Sequence, residues 1–91
     1  MVPEELIPAR VFCQYHNIEY SFIDSIQNSG LILLERIDQE VYIRAEDMAK
    51  LEKYVRLHYD LDINFEGIET IEYLLHKMEE LQMELMRLKS D

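Results

Sequence analysis

Several sets of residues in this 91-residue chain are of types that could do chemistry, and each set stops short of a site. Cys13 and His16 are three apart, which puts them on one helix face where they could share a metal. A zinc site needs about four ligands, and neither a Cys-x-x-Cys nor a His pair supplies the rest. Cys13 therefore reads as a small buried apolar residue. His58 and His76 are isolated in sequence and read as packing or capping residues. Glu72 and His76, four apart, share a helix face and have the spacing of an ion pair, not of a metal site. Carboxylates occur side by side at Glu4-Glu5, Glu46-Asp47 and Glu79-Glu80. Acid–base catalysis needs carboxyls whose surroundings in a cleft drive their pKa values apart, and adjacent acids on a solvated face have no such surroundings. There is no Gly-rich phosphate loop and no Ser/His/Asp or Cys/His order, and two glycines leave little backbone for a phosphate cradle. The chain reads as a non-enzyme with no cofactor and no metal.

Charge is the stronger feature. Nineteen acidic residues stand against nine basic ones, for a net charge of −10, and the acids are spread along the chain. A duplex-DNA binder neutralises phosphates with Lys and Arg, so this balance disfavours DNA. It suits either solubility alone or an electrostatically steered surface for a basic partner. The length fits one domain over 1–91, and an apolar fraction of 48% with six Tyr and three Phe suits a globular core. No apolar run nears the roughly 18 residues that span a bilayer. Met-Val-Pro-Glu-Glu has neither the charge nor the apolar stretch of a signal peptide. A single Cys forms no internal disulfide, which suits the cytoplasm.

The elements that would carry these residues are short. Pro8 fits the first turn of a helix in which Val11, Phe12 and Tyr15 share a face and which Asn17 ends as a left-handed cap. A second helix spans Tyr20 to Asn28, with Phe22, Ile23 and Ile26 at helical spacing and Ser29-Gly30 as its stop. Leu31–Leu34 and Val41–Ile43 read as two strands of a small hairpin wing, separated by Glu35–Glu40. A third helix runs from about Ala45 to Leu61 on Met48, Leu51, Tyr54, Val55, Leu57 and His58, with Glu46-Asp47 at its positive end. Asn64 would cap a last helix from Phe65 to about Lys89. The winged helix-turn-helix region is thus residues 8–65 and the terminal helix 66–91.

That last helix carries Ile71, Leu74, Met78, Leu81, Leu85 and Leu88 at alternating spacings of three and four, a heptad seam. The seam is about 27 Å long at roughly 1.5 Å per residue, more than a domain this size covers. Ile68, Ile71 and Leu75 are expected to fold back on their own domain. Met78, Leu81, Leu85 and Leu88 are expected to pair with another chain, giving a homodimer or higher homo-oligomer.

The order helix-turn-helix, wing, helix, long helix resembles the MerR-like winged-helix family. Asn28-Ser29-Gly30-Leu31-Ile32 is similar to that family's junction between second helix and wing, and Arg36 stands where it usually has a wing arginine. Counting back from Gly30, Asp24 falls where MerR-type regulators usually carry a DNA-contacting arginine, and Glu40-Val41-Tyr42 replaces the wing's Gly-Tyr-Arg. The chain also resembles the CbpM-like chaperone modulator family of acidic MerR-like proteins. The resemblance lies in Phe12-Cys13, in Gly30-Leu31-Ile32, and above all in Val55-Arg56-Leu57-His58-Tyr59-Asp60-Leu61-Asp62-Ile63-Asn64-Phe65-Glu66-Gly67-Ile68. It implies a mainly α winged helix-turn-helix fold and a partner that is the J-domain of a DnaJ/CbpA-like co-chaperone. Members of that family restrain the partner's stimulation of Hsp70, and its DNA binding too.

A J-domain presents a basic helix, which an acidic surface can mask. Asp24, Glu35, Asp38 and Glu40, in the second helix and wing, are the expected contacts. Tyr15, Tyr20, Tyr42, Tyr54, Tyr59 and Tyr73 are the aromatic anchor candidates. Two alternatives stand beside this reading. A transcription regulator would need a basic patch assembled from Arg10, Arg36, Arg44, Lys50, Lys53 and Arg56. A structural coiled-coil subunit would use the terminal helix alone.

Overall fold

A computed structural model of the chain describes residues 5–90. The amino-terminal stretch read above as no signal peptide lies outside the described residues up to Glu4, as does Asp91. The described elements follow in the order β1 (Leu6–Pro8), α1 (Ala9–His16), α2 (Tyr20–Ser29), β2 (Glu35–Ile37), β3 (Glu40–Arg44), α3 (Met48–Val55) and α4 (Phe65–Lys89). A single 3-10 turn, Ala45–Asp47, leads into α3, and a π turn, Arg56–Asp60, follows it. The molecule is a mainly helical winged helix-turn-helix with a small antiparallel sheet and a long terminal helix.

Local chemistry sets the helix ends. Pro8, at φ −59°, caps α1 from just outside it, one position before the expected first turn, and also ends β1. Asn17 ends α1 in the left-handed region at φ 56°; its N–H bonds the Gln14 carbonyl, and the Ile18 N–H bonds that of Cys13. This is a Schellman closure, with Asn tolerating a conformation most side chains avoid. Gly30 ends α2 in the same left-handed region at φ 78°, its N–H bonding the Gln27 carbonyl, while the Leu31 N–H donates to the Ser29 hydroxyl. Asn64 caps α4 as its spacing implied, its Oδ1 accepting from the Gly67 N–H at 2.8 Å. Gly67 is needed there, because a Cβ would come within 2.7 Å of the Ile63 side chain.

Three expectations about the elements change. The first wing strand is Glu35–Ile37, not Leu31–Leu34; the register Ile37↔Glu40 leaves a two-residue connection, with Asp38 at φ 57°. Asp38 takes the left-handed position that Asn or Gly usually marks, and Leu31–Leu34 serves as the approach to the strand. A third strand, β1, pairs Ile7 with Ile43 and gives the sheet the order β1-β3-β2. The third helix is three pieces rather than one, because its second half adopts the π turn.

The core is one cluster in which Phe12, Phe22, Ile23, Ile26, Ile43, Leu51, Tyr54 and Ile68 are all buried. On α1 the buried face is Ala9, Phe12 and Cys13; Val11 and Tyr15 point to solvent, so they do not share the buried face of Phe12. Central strand β3 alternates, burying Val41 and Ile43. Ile68 is fully buried and Ile71 half-buried, as expected of a helix start that folds back. Leu75 departs from expectation, at 41% exposed, because α4 has already left the globule: every residue from 73 to 90 is exposed.

Candidate functional site

Tyr20 opens α2, and it lies within the electrostatic reach of Asp24 on the same helix and of Arg36 and Glu40 in the wing. Burial raises the Tyr20 phenol above its ordinary pKa, and the negative fields of Asp24 and, more weakly, Glu40 add to this while Arg36 opposes it. Asp24 and Asp38 are exposed.

Glu35 and Glu40 are held differently. Glu35 accepts from Arg44 across the hairpin, at 3.0 Å from Nε, and Glu40 accepts from Arg10 of α1, also at 3.0 Å. Both carboxylates are partly spent inside the molecule. Glu35 sits opposite Tyr42, so Arg44 is its diagonal neighbour two residues along, within reach of a long side chain. The sequence held that signal only once the strand register was known. Glu40 and Arg10, thirty residues apart, carried none.

Three of the six candidate basic residues, Arg10, Arg44 and Lys53, are engaged by carboxylates. Arg10 and Arg44 hold the wing carboxylates just described. Lys53 donates to Glu72 at 2.6 Å and ties α3 to α4. Burial alone would raise Glu72, but the hydrogen bond from Lys53, the nearby Tyr54 hydroxyl and the charges of Lys53 and Lys50 hold it below its ordinary pKa. Glu72 thus bonds across helices rather than to His76, which pairs with Glu80 at 3.1 Å. Of the tyrosines, Tyr54 is no surface anchor, because it is fully buried in the core. Its hydroxyl lies near Glu72 without reaching good hydrogen-bond geometry, and burial pushes its pKa up.

Cys13 is buried with its Sγ 4.0 Å from the Glu19 carbonyl, and burial, then Asp24, raises its thiol, which disfavours the reactive thiolate. His16 packs on Phe12 with ring centroids 4.3 Å apart and lies 3.6 Å from Glu52. Among the described residues, no group of three or more His, Cys, Asp or Glu is placed to hold a metal, and no helix is long and apolar enough to cross a membrane.

On α4, Leu74, Met78, Leu81, Leu85 and Leu88 are 52–65% exposed along one face. Met78 also lines a cleft with Lys50 and Lys53 of α3.

The sequence model of the MerR HTH family regulatory proteins matches residues 7–90. The chain belongs to the MerR HTH regulatory family. The match runs from β1 of this MerR-type chain to the end of its terminal helix. Searches of curated proteins and of solved structures give no match.

Proposed function

We propose that this MerR-type protein is a non-enzymatic chaperone modulator. It binds the basic J-domain of a DnaJ/CbpA-like co-chaperone through an acidic surface and so restrains that partner's stimulation of Hsp70. The observation that carries this reading is Asp24, exposed on the outer face of α2, the helix that helix-turn-helix regulators lay against DNA. A carboxylate there repels phosphate and attracts a basic helix. The engagement of Arg10, Arg44 and Lys53 with Glu40, Glu35 and Glu72 supports it, because it removes cations that a phosphate surface would use.

The exposed carboxylates steer encounter, and aromatic anchors such as Tyr20 supply affinity. The seam of α4 joins two copies of the chain, so that each dimer offers two J-domain surfaces. The working place of such an adaptor is the cytoplasm.

Surface-immobilised J-domain, titrated with this protein at several salt concentrations, tests the reading. Reversal of Asp24 and Asp38 to Lys lowers the on-rate, most visibly at low salt. Unchanged rates at every salt concentration remove that face from the contact.

A further inference from the structure

Two open clefts meet at Tyr59, on the side formed by the end of α1, the turn after it and the π turn. One, of about 520 Å³, runs from Tyr15 past Glu52 to Asp60. The other, of about 380 Å³, runs from Glu19 to Phe65. Asn17, Ile18 and Tyr59 line both, so the two form a single trough with Tyr59 at its middle. None of the α2–wing contacts proposed above takes part.

The π turn shapes this surface. It turns His58 inward, where the ring stacks on Phe65 at 4.7 Å and 28° and Nδ1 lies 2.9 Å from the Ile63 carbonyl. Next in sequence, Tyr59 is left 45% exposed, its ring 5.5 Å from that of Phe22. Single π turns are uncommon in helices and concentrate at functional sites. Across the larger cleft Tyr15 is 84% exposed, so two aromatic rings stand open on the same trough.

Charge decides what fits. Glu19, Glu52 and Asp60 stand against Arg56, so the rim carries −2 with both histidines neutral. Open aromatic faces beside carboxylates are the setting a guanidinium takes, stacked on a ring with its N–H groups turned to oxygen. Ile18 and Phe65, both half-buried, give an apolar neighbour somewhere to sit.

We infer that this trough docks a basic helical segment of a protein partner, seating an arginine between Glu52 and Asp60 against Tyr59. The inference rests on the reading that the partner is a basic protein. The trough adds exposed aromatic anchors to the α2–wing face, where Glu35 and Glu40 are already paired.

The test is an NMR titration of the full ¹⁵N-labelled chain with two helical peptides of about 15 residues, long enough to populate a helix. One carries arginines four apart and the other glutamines at the same places. The arginine peptide shifts the amides of Asn17, Ile18, Tyr59 and Asp60, and the glutamine peptide does not. Tyr59→Ala weakens binding about five-fold or more, the loss of roughly 1 kcal/mol of ring–cation contact. Asp60→Lys does so as well, and it changes an exposed side chain, so it keeps the test sound if Tyr59→Ala unfolds. Asp24→Lys leaves the peptide affinity within about two-fold. Shifts confined to Asp24 and Asp38, shifts nowhere, or full affinity in Asp60→Lys overturn the inference. A J-domain titrated in parallel separates the two readings. If it fails to bind while the arginine peptide moves the trough, the J-domain proposal falls and the docking site stands. If it binds without moving the trough, the reverse holds.

Discussion

Replacing Leu81 and Leu85 together by Asp is expected to turn the protein into a monomer without unfolding it. Full burial of a Leu or Met side chain is worth about 1.5–3 kcal/mol. Leu74, Met78, Leu81, Leu85 and Leu88 each keep 52–65% of their surface exposed, so seating one in an interface returns about half of that, or roughly 1–1.5 kcal/mol. Five side chains from each of two copies give on the order of 10–15 kcal/mol before association costs of about 4–15 kcal/mol are met. A dimer held by this seam is therefore expected to be of modest affinity. Two substitutions per chain remove about 4–6 kcal/mol of it, roughly a thousand-fold or more in Kd, before the repulsion of four carboxylates is counted. Sedimentation equilibrium between about 1 and about 100 μM, the range that resolves a micromolar-class dimer, reads the result. The wild type is expected at twice the 11.0 kDa of one chain and the double variant at 11.0 kDa. Because neither position touches the core, circular dichroism melting should move by only the helix-propensity cost of Asp, about 0.7 kcal/mol per site. A wild type that stays monomeric at the top concentration, or a double variant that remains a dimer, refutes the reasoning.

Further outcomes follow from the same contacts. Asn64→Ala removes the side-chain cap of α4 and should cost about 1 kcal/mol in urea unfolding. Glu72→Gln should erase an acid-sensitive part of the stability. The folded-state pKa of Glu72 lies below the ordinary 4.5, so its contribution is present above that pH and is lost as pH falls through the lower folded value. Wild type and variant should therefore melt apart at pH 7 and converge toward pH 3, roughly the foot of a carboxylate titration; curves that stay parallel would show that Glu72 is not the group. Reversal of Asp24 to Lys should slow J-domain association, and Glu40→Lys should in addition lower the melting temperature, because it sets two cations face to face with Arg10. Duplex DNA in a mobility-shift assay at low salt should not be retarded; retardation would favour a regulator that uses Lys50 and Arg56.

Features fixed by neighbouring residues were legible in the sequence. Asn17, Gly30 and Asn64 cap helices through their own backbone preference or side-chain oxygen, and each sits where residue type placed it. The heptad seam was legible for the same reason, since spacing alone decides which side chains share a face of α4. Features decided by tertiary contact were not. Leu6–Pro8 is too short to declare itself a strand and becomes one only against β3. The wing register hinged on Asp38 adopting a positive φ, which Asp marks less clearly than Asn-Gly would. The π turn appears where His58 turns onto Phe65 and Phe22, a packing choice that a helical period cannot reveal. Within the candidate site, the residue types were readable, but the pairing of Glu35 with Arg44 and of Glu40 with Arg10 depended on a register and a fold. Tyr54 stood both in the apolar period of the third helix and among the anchor candidates, and its burial beside Leu51 decides for the first.

The most direct measurement is the affinity of the intact protein for a DnaJ-like J-domain, by calorimetry at low and at near-physiological salt, beside duplex DNA under the same conditions. Saturable J-domain binding that weakens as salt rises, with no heat from DNA, is the predicted result. DNA binding with no J-domain binding at either salt would contradict the account and return the chain to the regulators of its family.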